Sequence, residues 1–471
     1  MTVATQVEAA LRAEHVRADF VPASDYISPE FVQLEYERLW PRVWQLACRE
    51  EEIPKVGDYV SYEIGDQSFI IVRQTPTAIR AFYNVCMHRG RRLTAGCGNV
   101  ARFHCNYHGW QWGLDGSVLR VLDRTDWKGC SSMEDGDLRL REVKVDTWAG
   151  FVFIHMDPKA EPLAHYLDPV PAHLDPYDYG KMRFRFYATF RLPCNWKVAL
   201  EAFDEGYHVA ATHPQLLPVQ GEDWTNSFAK GRHGMFMYPM VRADTGEPSA
   251  PFGAPSPRLG KPVPKDLRPG VVGHFELLTS TLPVLYSLRD GEATRRLLTE
   301  VSPDAAPLEV LQRALQFQRE AAVAAGAGWP EITPEQMARA GVDWHIFPNM
   351  ITLPYPDGCI VYRSRPDGTN PDSCIYDVWG LQRYAPGAEP AIQRQQFYGK
   401  EDWRGVGAVS IILEQDFVNM EEVQRGMKSY GFPGNRTSPR QEVAISNMHR
   451  VLREEFLFAA TAAEVPQARR A

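Results

Sequence analysis

The sequence predicts an α+β protein in two parts. A small all-β domain is expected over residues 44–160, and a larger α+β domain over 1–43 and 161–471. Three observations lead there. Between Gly57 and His155 the apolar residues alternate and β-branched residues are frequent, as half-buried strands require. Beyond residue 160, helical stretches with recognisable caps mix with β-rich runs. The chain has 471 residues, 44% hydrophobic and 23% charged, which suffices for two sizeable cores.

In chain order, Ser28-Pro29-Glu30 marks a helix start, with Ser as N-cap and Pro at the first helical position, and the helix is expected to reach about residue 40. Residues 59–64 and 68–72, joined at Gly65-Asp66, read as a β-hairpin, and 143–146 with 150–154 close the small domain. A strand is expected over 184–190 and a helix over 195–211. Seven prolines between Glu247 and Gly270 predict a long irregular connection, a plain surface loop or a lid. Helices follow at 307–325 and after the capping box Thr333-Pro334-Glu335-Gln336. Strands are expected at 351–353, 359–364 and 375–384, then a helix over 406–428 and a helical, fraying tail. The chain has no internal repeat.

A net charge of −8 argues against nucleic-acid binding. No apolar run is long enough for a membrane span, and residues 2–19 lack the apolar core of a signal peptide, so a cytoplasmic protein is expected. Eight cysteines without a secretory context point to reduced thiols or metal ligands. Only Cys86 and Cys105 have partners at metal-binding spacing; the other six read as small buried hydrophobes.

Cys86-Met87-His88 is followed, after sixteen intervening residues, by Cys105-Asn106-Tyr107-His108. Two thiolates and two imidazoles suit a structural zinc, and suit better a Rieske [2Fe–2S] centre, where two Cys hold one iron and two His the other. The longer stretches Cys86-Met87-His88-Arg89-Gly90 and Cys105-Asn106-Tyr107-His108-Gly109-Trp110 resemble the cluster loops of the Rieske non-haem iron oxygenases, in particular the large (alpha) subunits of aromatic-ring-hydroxylating dioxygenases. Respiratory Rieske proteins carry an extra Cys in each loop, where this chain has Arg89-Gly90-Arg91 and Asn106-Tyr107. The resemblance implies a Rieske domain and a catalytic domain with an antiparallel sheet flanked by helices, START/Bet v1-like. His104 fits neither loop by spacing and is expected to pack.

His208 and His213 are five residues apart and do not share a helical face. They converge on one metal only where the helix ends or loosens between them, which the nearby Pro214 favours. Alone the pair is a weak signal, but it resembles the iron-binding helix of the same family. Asp416, within Glu414-Gln415-Asp416-Phe417-Val418-Asn419-Met420-Glu421, resembles the segment that supplies the carboxylate. Two His and one carboxylate leave positions open on Fe(II); Glu414 and Glu421 are the nearest competitors. Glu205 lies one helical turn before His208. By resemblance it links His208 to His108 of a neighbouring subunit, with Asp204 as the alternative bridge. Many relatives have Asp at the Glu205 position, and Ala202 departs from an Asn common in the family.

The resemblance implies that O2 is activated at a mononuclear Fe(II) with electrons from the cluster. These come from NAD(P)H through a separate ferredoxin and/or flavin reductase, since the chain has no Gly-rich dinucleotide fingerprint. An aromatic or other hydrophobic substrate is expected, dihydroxylated by a dioxygenase in preference to monooxygenation. Monooxygenation, demethylation or attack on a quaternary amine is the rival within the class, and some such enzymes also carry Glu at the bridge. A Rieske electron carrier without oxygenase activity is the rival outside it. Candidate pocket residues are Glu201, Phe203, Phe236 and Phe347, among aromatics that include Phe228, Tyr238, Phe252, Phe275, Tyr286 and Trp344. The family also implies a homotrimer, alone or with small β subunits.

Overall fold

The computed structural model describes residues 3–459 apart from 244, 284, 400–401 and 406–409. They form two compact units, Leu34–Tyr166 in one, and the residues up to Gln33 and from Leu167 onward in the other. The smaller unit therefore begins before residue 44 and ends after 160. The turns Glu35–Leu39 and Trp40–Arg42 lead into its edge strand, and the helix Leu163–Tyr166 packs on the strand Glu142–Trp148.

The small unit is built on a seven-stranded sheet in the order Gln45–Arg49, Phe151–His155, Glu142–Trp148, Ile79–Tyr83, Gln67–Arg73, Asp58–Ile64 and Cys97–Asn99. The expected hairpin forms its fifth and sixth strands, with Tyr62 opposite Phe69. Gly65 takes the left-handed conformation the turn needs, at φ +55°. A smaller sheet of Phe103–His104, Gln111–Trp112 and Val118–Arg120 shares a core with Ile70, Val72, Phe82, Cys86, Cys105, Trp110 and Trp112. Both cluster-loop thiols are thus anchored in apolar packing.

The larger unit carries an eight-stranded sheet in the order Asn226–Lys230, His233–Met237, Asp343–Ile346, Met350–Pro354, Gly358–Pro366, Cys374–Arg383, Met182–Leu192 and Arg394–Phe397. All neighbours are antiparallel except the last pair. The helices Trp196–Glu201, Ile411–Met427 and Val443–Val451 pack on it or on one another.

Several expectations change. The helix expected over 195–211 is two pieces, Trp196–Glu201 and Val209–Thr212, because the chain turns at 202–208. There Gly206 passes so close to Thr225 that an added Cβ would lie 2.9 Å from its methyl. The irregular stretch ends at Arg268, where the helix Arg268–Thr281 begins. This helix and Leu288–Thr294, which opens on a Ser287/Asp290 capping box, were not expected. The expected start at 406 lies outside the described residues, and the helix runs from the Ser410 cap over Ile411–Met427. The tail beyond 459 also lies outside them.

Cys97 and Cys130 are exposed rather than buried, because they sit on an edge strand and a surface loop; Cys48, Cys194, Cys359 and Cys374 are buried, and none of the eight is in a disulfide. No helix among the described residues is long and apolar enough to cross a membrane.

Candidate iron centres

The two Cys/His loops repeat one geometry. Gly90 N–H donates to the Cys86 carbonyl at 3.0 Å and Gly109 N–H to the Cys105 carbonyl at 2.9 Å. Each turn then closes through a left-handed glycine, at φ +77° and +71°. Cys86 and Cys105 are 3% and 1% exposed. The His88 and His108 rings lie 4.5 Å apart, and His88 stacks on Trp110 at 4.8 Å and 10°.

Nδ1 of both histidines is buried and has no hydrogen-bond partner, so one nitrogen of each ring is held ready for a ligand bond. The four donor groups do not gather within 4.8 Å of one another, unlike those of the second site. That spread fits a two-iron cluster with Cys at one end and His at the other, not a single zinc ion. Burial, aided by the neighbouring His108 and Arg89, lowers the His88 pKa and favours the neutral ring a metal requires. His104 is exposed rather than packed, its Nδ1 3.0 Å from Asn106 Oδ1, because the short strand Phe103–His104 turns alternate residues outward.

In the larger unit, His208, His213 and Asp416 bring their ligand atoms within 4.8 Å of one another, the one such trio of His, Cys, Asp or Glu among the described residues. The break after Glu201 makes this possible, since it places His208 just before the helix Val209–Thr212 and His213 just after it. Asp416 comes from the buried face of Ile411–Met427. Its Oδ1 lies 3.0 Å from Nε2 of His213 and 3.7 Å from Nε2 of His208. His213 Nε2 and Asp416 Oδ2 are buried and make no hydrogen bond.

The opposite ring nitrogens are taken. Nδ1 of His208 is 2.6 Å from Glu205 Oε1, and Nδ1 of His213 is 2.8 Å from Gln415 Oε1. Such outer partners set the tautomer and turn both Nε2 atoms toward the metal position. Burial lowers the His208 pKa, but the Glu205 and Asp416 carboxylates outweigh it and lift the value to about 9. A cation at this position replaces that proton. The donor set of two imidazoles and one carboxylate fits a non-haem Fe(II).

The competitors are otherwise engaged. Glu414 accepts from Gly405 N–H, and Glu421 pairs with Arg425. Asp204 is fully buried, its Oδ2 3.5 Å from His345 Nδ1, and makes no hydrogen bond. Glu201 accepts from the Tyr26 hydroxyl at 2.9 Å and meets His449 Nε2 at 2.7 Å, so it belongs to a buried network and does not line a pocket. Phe347 stacks on Phe456 in the core. Phe203 lies over Tyr362 at 4.2 Å and Phe236 over the turn at Gly206, on the side of the sheet that faces the trio. Gln415 carried no signal of its own in the sequence beyond standing next to Asp416.

A profile described as the Rieske [2Fe-2S] domain matches residues 43–127. One described as the ring hydroxylating alpha subunit (catalytic domain) matches 172–264 and 295–456, more than half of the chain. The chain belongs to the ring-hydroxylating alpha subunit family.

Members of this family that the chain resembles differ in reaction. The glycine betaine monooxygenase oxygenase subunit of Pseudomonas aeruginosa is 29% identical over 201 residues, 42% of this chain and 45% of that protein. The benzene 1,2-dioxygenase alpha subunit of Pseudomonas putida is 33% identical over 193 residues, 40% and 42% of the two chains. The matched region spans about half the length of these relatives or less. Among solved structures, a quaternary ammonium Rieske monooxygenase superposes with TM-score 0.60 at 18% identity, covering 92% of this chain and 94% of that one. A naphthalene 1,2-dioxygenase bound to phenanthrene gives 0.61 at 21%, covering 95% and 94%. These likenesses speak to the fold that alpha subunits share.

Proposed function

We propose that this chain is the terminal oxygenase of a multicomponent Rieske system, which hydroxylates a small organic substrate with O2. The observation that carries the reading is the pair of donor sets, one fit for a [2Fe–2S] cluster and one for a mononuclear iron, in one chain. Cys86, His88, Cys105 and His108 would hold the cluster; His208, His213 and Asp416 would hold the iron. Together the two centres supply stored electrons and a site where O2 is reduced beside the substrate. The rest falls to the protein. Glu205 and Gln415 orient the imidazoles, the apolar packing around the Cys86 and Cys105 thiols screens them from water, and the aromatic side of the sheet offers the substrate an apolar wall.

Electrons would reach the chain from NAD(P)H through a ferredoxin and/or a reductase. Glu205 would pass them from His108 of a neighbouring subunit in a trimer, with or without β subunits; its contact with His208 supports that role over Asp204. Eight thiols outside any disulfide accord with a cytoplasmic protein. A dioxygenase acting on an aromatic compound is one outcome. Monooxygenation of an amine is the second, favoured by Glu rather than Asp at position 205. The test is O2 uptake by the reconstituted enzyme with a reductase, over aromatic and amine compounds in heavy-oxygen gas. Substrate-dependent uptake with label in the product is expected, and one or two labelled atoms separates the outcomes. Reduction of the cluster with no compound stimulating uptake overturns the oxygenase reading.

A further inference from the structure

Beside the trio lies a second cluster of titratable groups with no assigned task. Asp204 and Asp343 are 0% exposed and His345 is 1% exposed. All four carboxylate oxygens and His345 Nδ1 are buried without a hydrogen-bond partner. Native proteins leave few such atoms, and each costs free energy until a donor reaches it.

Burial, and then the carboxylates around them, push the Asp204 and Asp343 carboxyls well above the usual range, so they stay uncharged until a cation joins them. His345 Nε2 lies 3.1 Å from the Pro348 carbonyl, which only accepts, so Nε2 carries the ring proton and Nδ1 presents a lone pair. That lone pair is 3.5 Å from Asp204 Oδ2. Asp343 and His345 alternate along Asp343–Ile346 and so share one face of the sheet. A single metal ion is a poor match, since only His208, His213 and Asp416 among the described residues gather their ligand atoms within 4.8 Å.

The same face continues toward the iron position. Phe236 is opposite Asp343, and Ile351 pairs with both His345 and Tyr362. Phe203, the neighbour of Asp204, stacks over Tyr362 at 4.2 Å and Tyr376 at 5.7 Å. The buried Tyr376 hydroxyl also has no partner. Burial raises the Tyr362 pKa, and both Asp416 and Asp343 raise it further, so the iron-ligand carboxylate and the acceptor cluster act on the same aromatic wall.

We propose that Asp204, Asp343 and His345 form the polar end of the substrate pocket and receive the N–H groups of a protonated primary or secondary amine carried on an apolar body. This rests on the oxygenase reading and adds the substrate's distinguishing group. A cationic N–H draws these buried carboxyls into charge-assisted bonds that an aromatic hydrocarbon cannot form, and a quaternary ammonium has no N–H to give.

The test uses the reconstituted, reduced enzyme without oxygen and calorimetric titration with benzylamine, benzyl alcohol, benzyltrimethylammonium and toluene, which share one ring. Benzylamine is expected to bind roughly tenfold or more tighter than the other three. In Asp343→Asn and Asp204→Asn that preference is expected to collapse while toluene binding stays. The proposal is overturned if benzylamine binds the unaltered enzyme no better than toluene or not at all, or if its preference survives both substitutions. If a variant does not fold, the four ligands on the unaltered enzyme decide alone. Failure here appears in binding, whereas failure of the oxygenase reading appears as no substrate-stimulated O2 uptake, so the two are told apart.

Discussion

Nδ1 of His208 lies 2.6 Å from Oε1 of Glu205, whose other oxygen accepts the His208 backbone N–H at 3.0 Å. One carboxylate thus fixes both the ring and the main chain of a residue that would hold iron. Glutamate reaches forward over three residues, in the turn that follows the end of the helix at Glu201.

Glu205→Gln keeps an acceptor for Nδ1 and loses the charge. Iron content is expected to stay near the unaltered level, while reoxidation of the reduced cluster by O2 and substrate slows by roughly tenfold to a hundredfold. Rapid-mixing spectroscopy at the cluster absorption checks this; an unchanged rate removes Glu205 from the electron path.

Ser410 opens the helix that carries Asp416, its hydroxyl accepting from Leu413 N–H at 3.3 Å. Ser410→Ala is expected to cost about 1 kcal/mol of stability and to loosen iron while sparing the cluster. Iron analysis after dialysis against a chelator reads the loss, and equal retention of mononuclear iron contradicts it.

His449 sits fully buried between Asp25 and Glu201, at 2.7 Å from each. Burial pulls its pKa down, and the two carboxylates outweigh that and hold the ring charged. Asp25 is also gripped by Arg453. Asp25→Ala strands two buried cations and is expected to cost about 3–5 kcal/mol. Denaturant unfolding measures it, and a loss under about 1 kcal/mol would mean the network is wet and weak.

His155 is held neutral, its pKa pushed down to about 4 chiefly by burial, and its Nδ1 accepts from Asp157 N–H. The unfolded ring binds a proton below its ordinary value near 6.5, and the folded ring resists until about 4. Stability from this group is present above 6.5 and lost as pH falls toward 4. Compared with His155→Gln, the unaltered protein is expected to lose stability across that window. Parallel melting curves from pH 7 to 4 would contradict it.

The Cys/His loops were legible because their spacing is local and each turn needs its glycine. The hairpin at Gly65-Asp66 and the caps at Ser28 and Thr333 were legible for the same reason. The helix break between His208 and His213 was legible only as a condition for convergence, since its cause, the approach of Thr225 to Gly206, is tertiary. The 268–281 helix was hidden by Pro269, which reads as loop yet sits in the helix's first turn. Nothing local marks Asp25 as the partner of His449, 424 positions away. Asp343 and His345 sit in a short strand whose polar residues point inward, against the usual alternation of apolar inside and polar outside.

The central claim is that one chain holds two separate iron centres. The direct measurement is EPR of the protein reduced without oxygen, supplied with iron and exposed to nitric oxide. A Rieske signal with a high-spin iron–nitrosyl signal is expected, and Asp416→Ala should lose the second alone. A Rieske signal without any iron–nitrosyl species in the unaltered protein would contradict the account and leave an electron carrier.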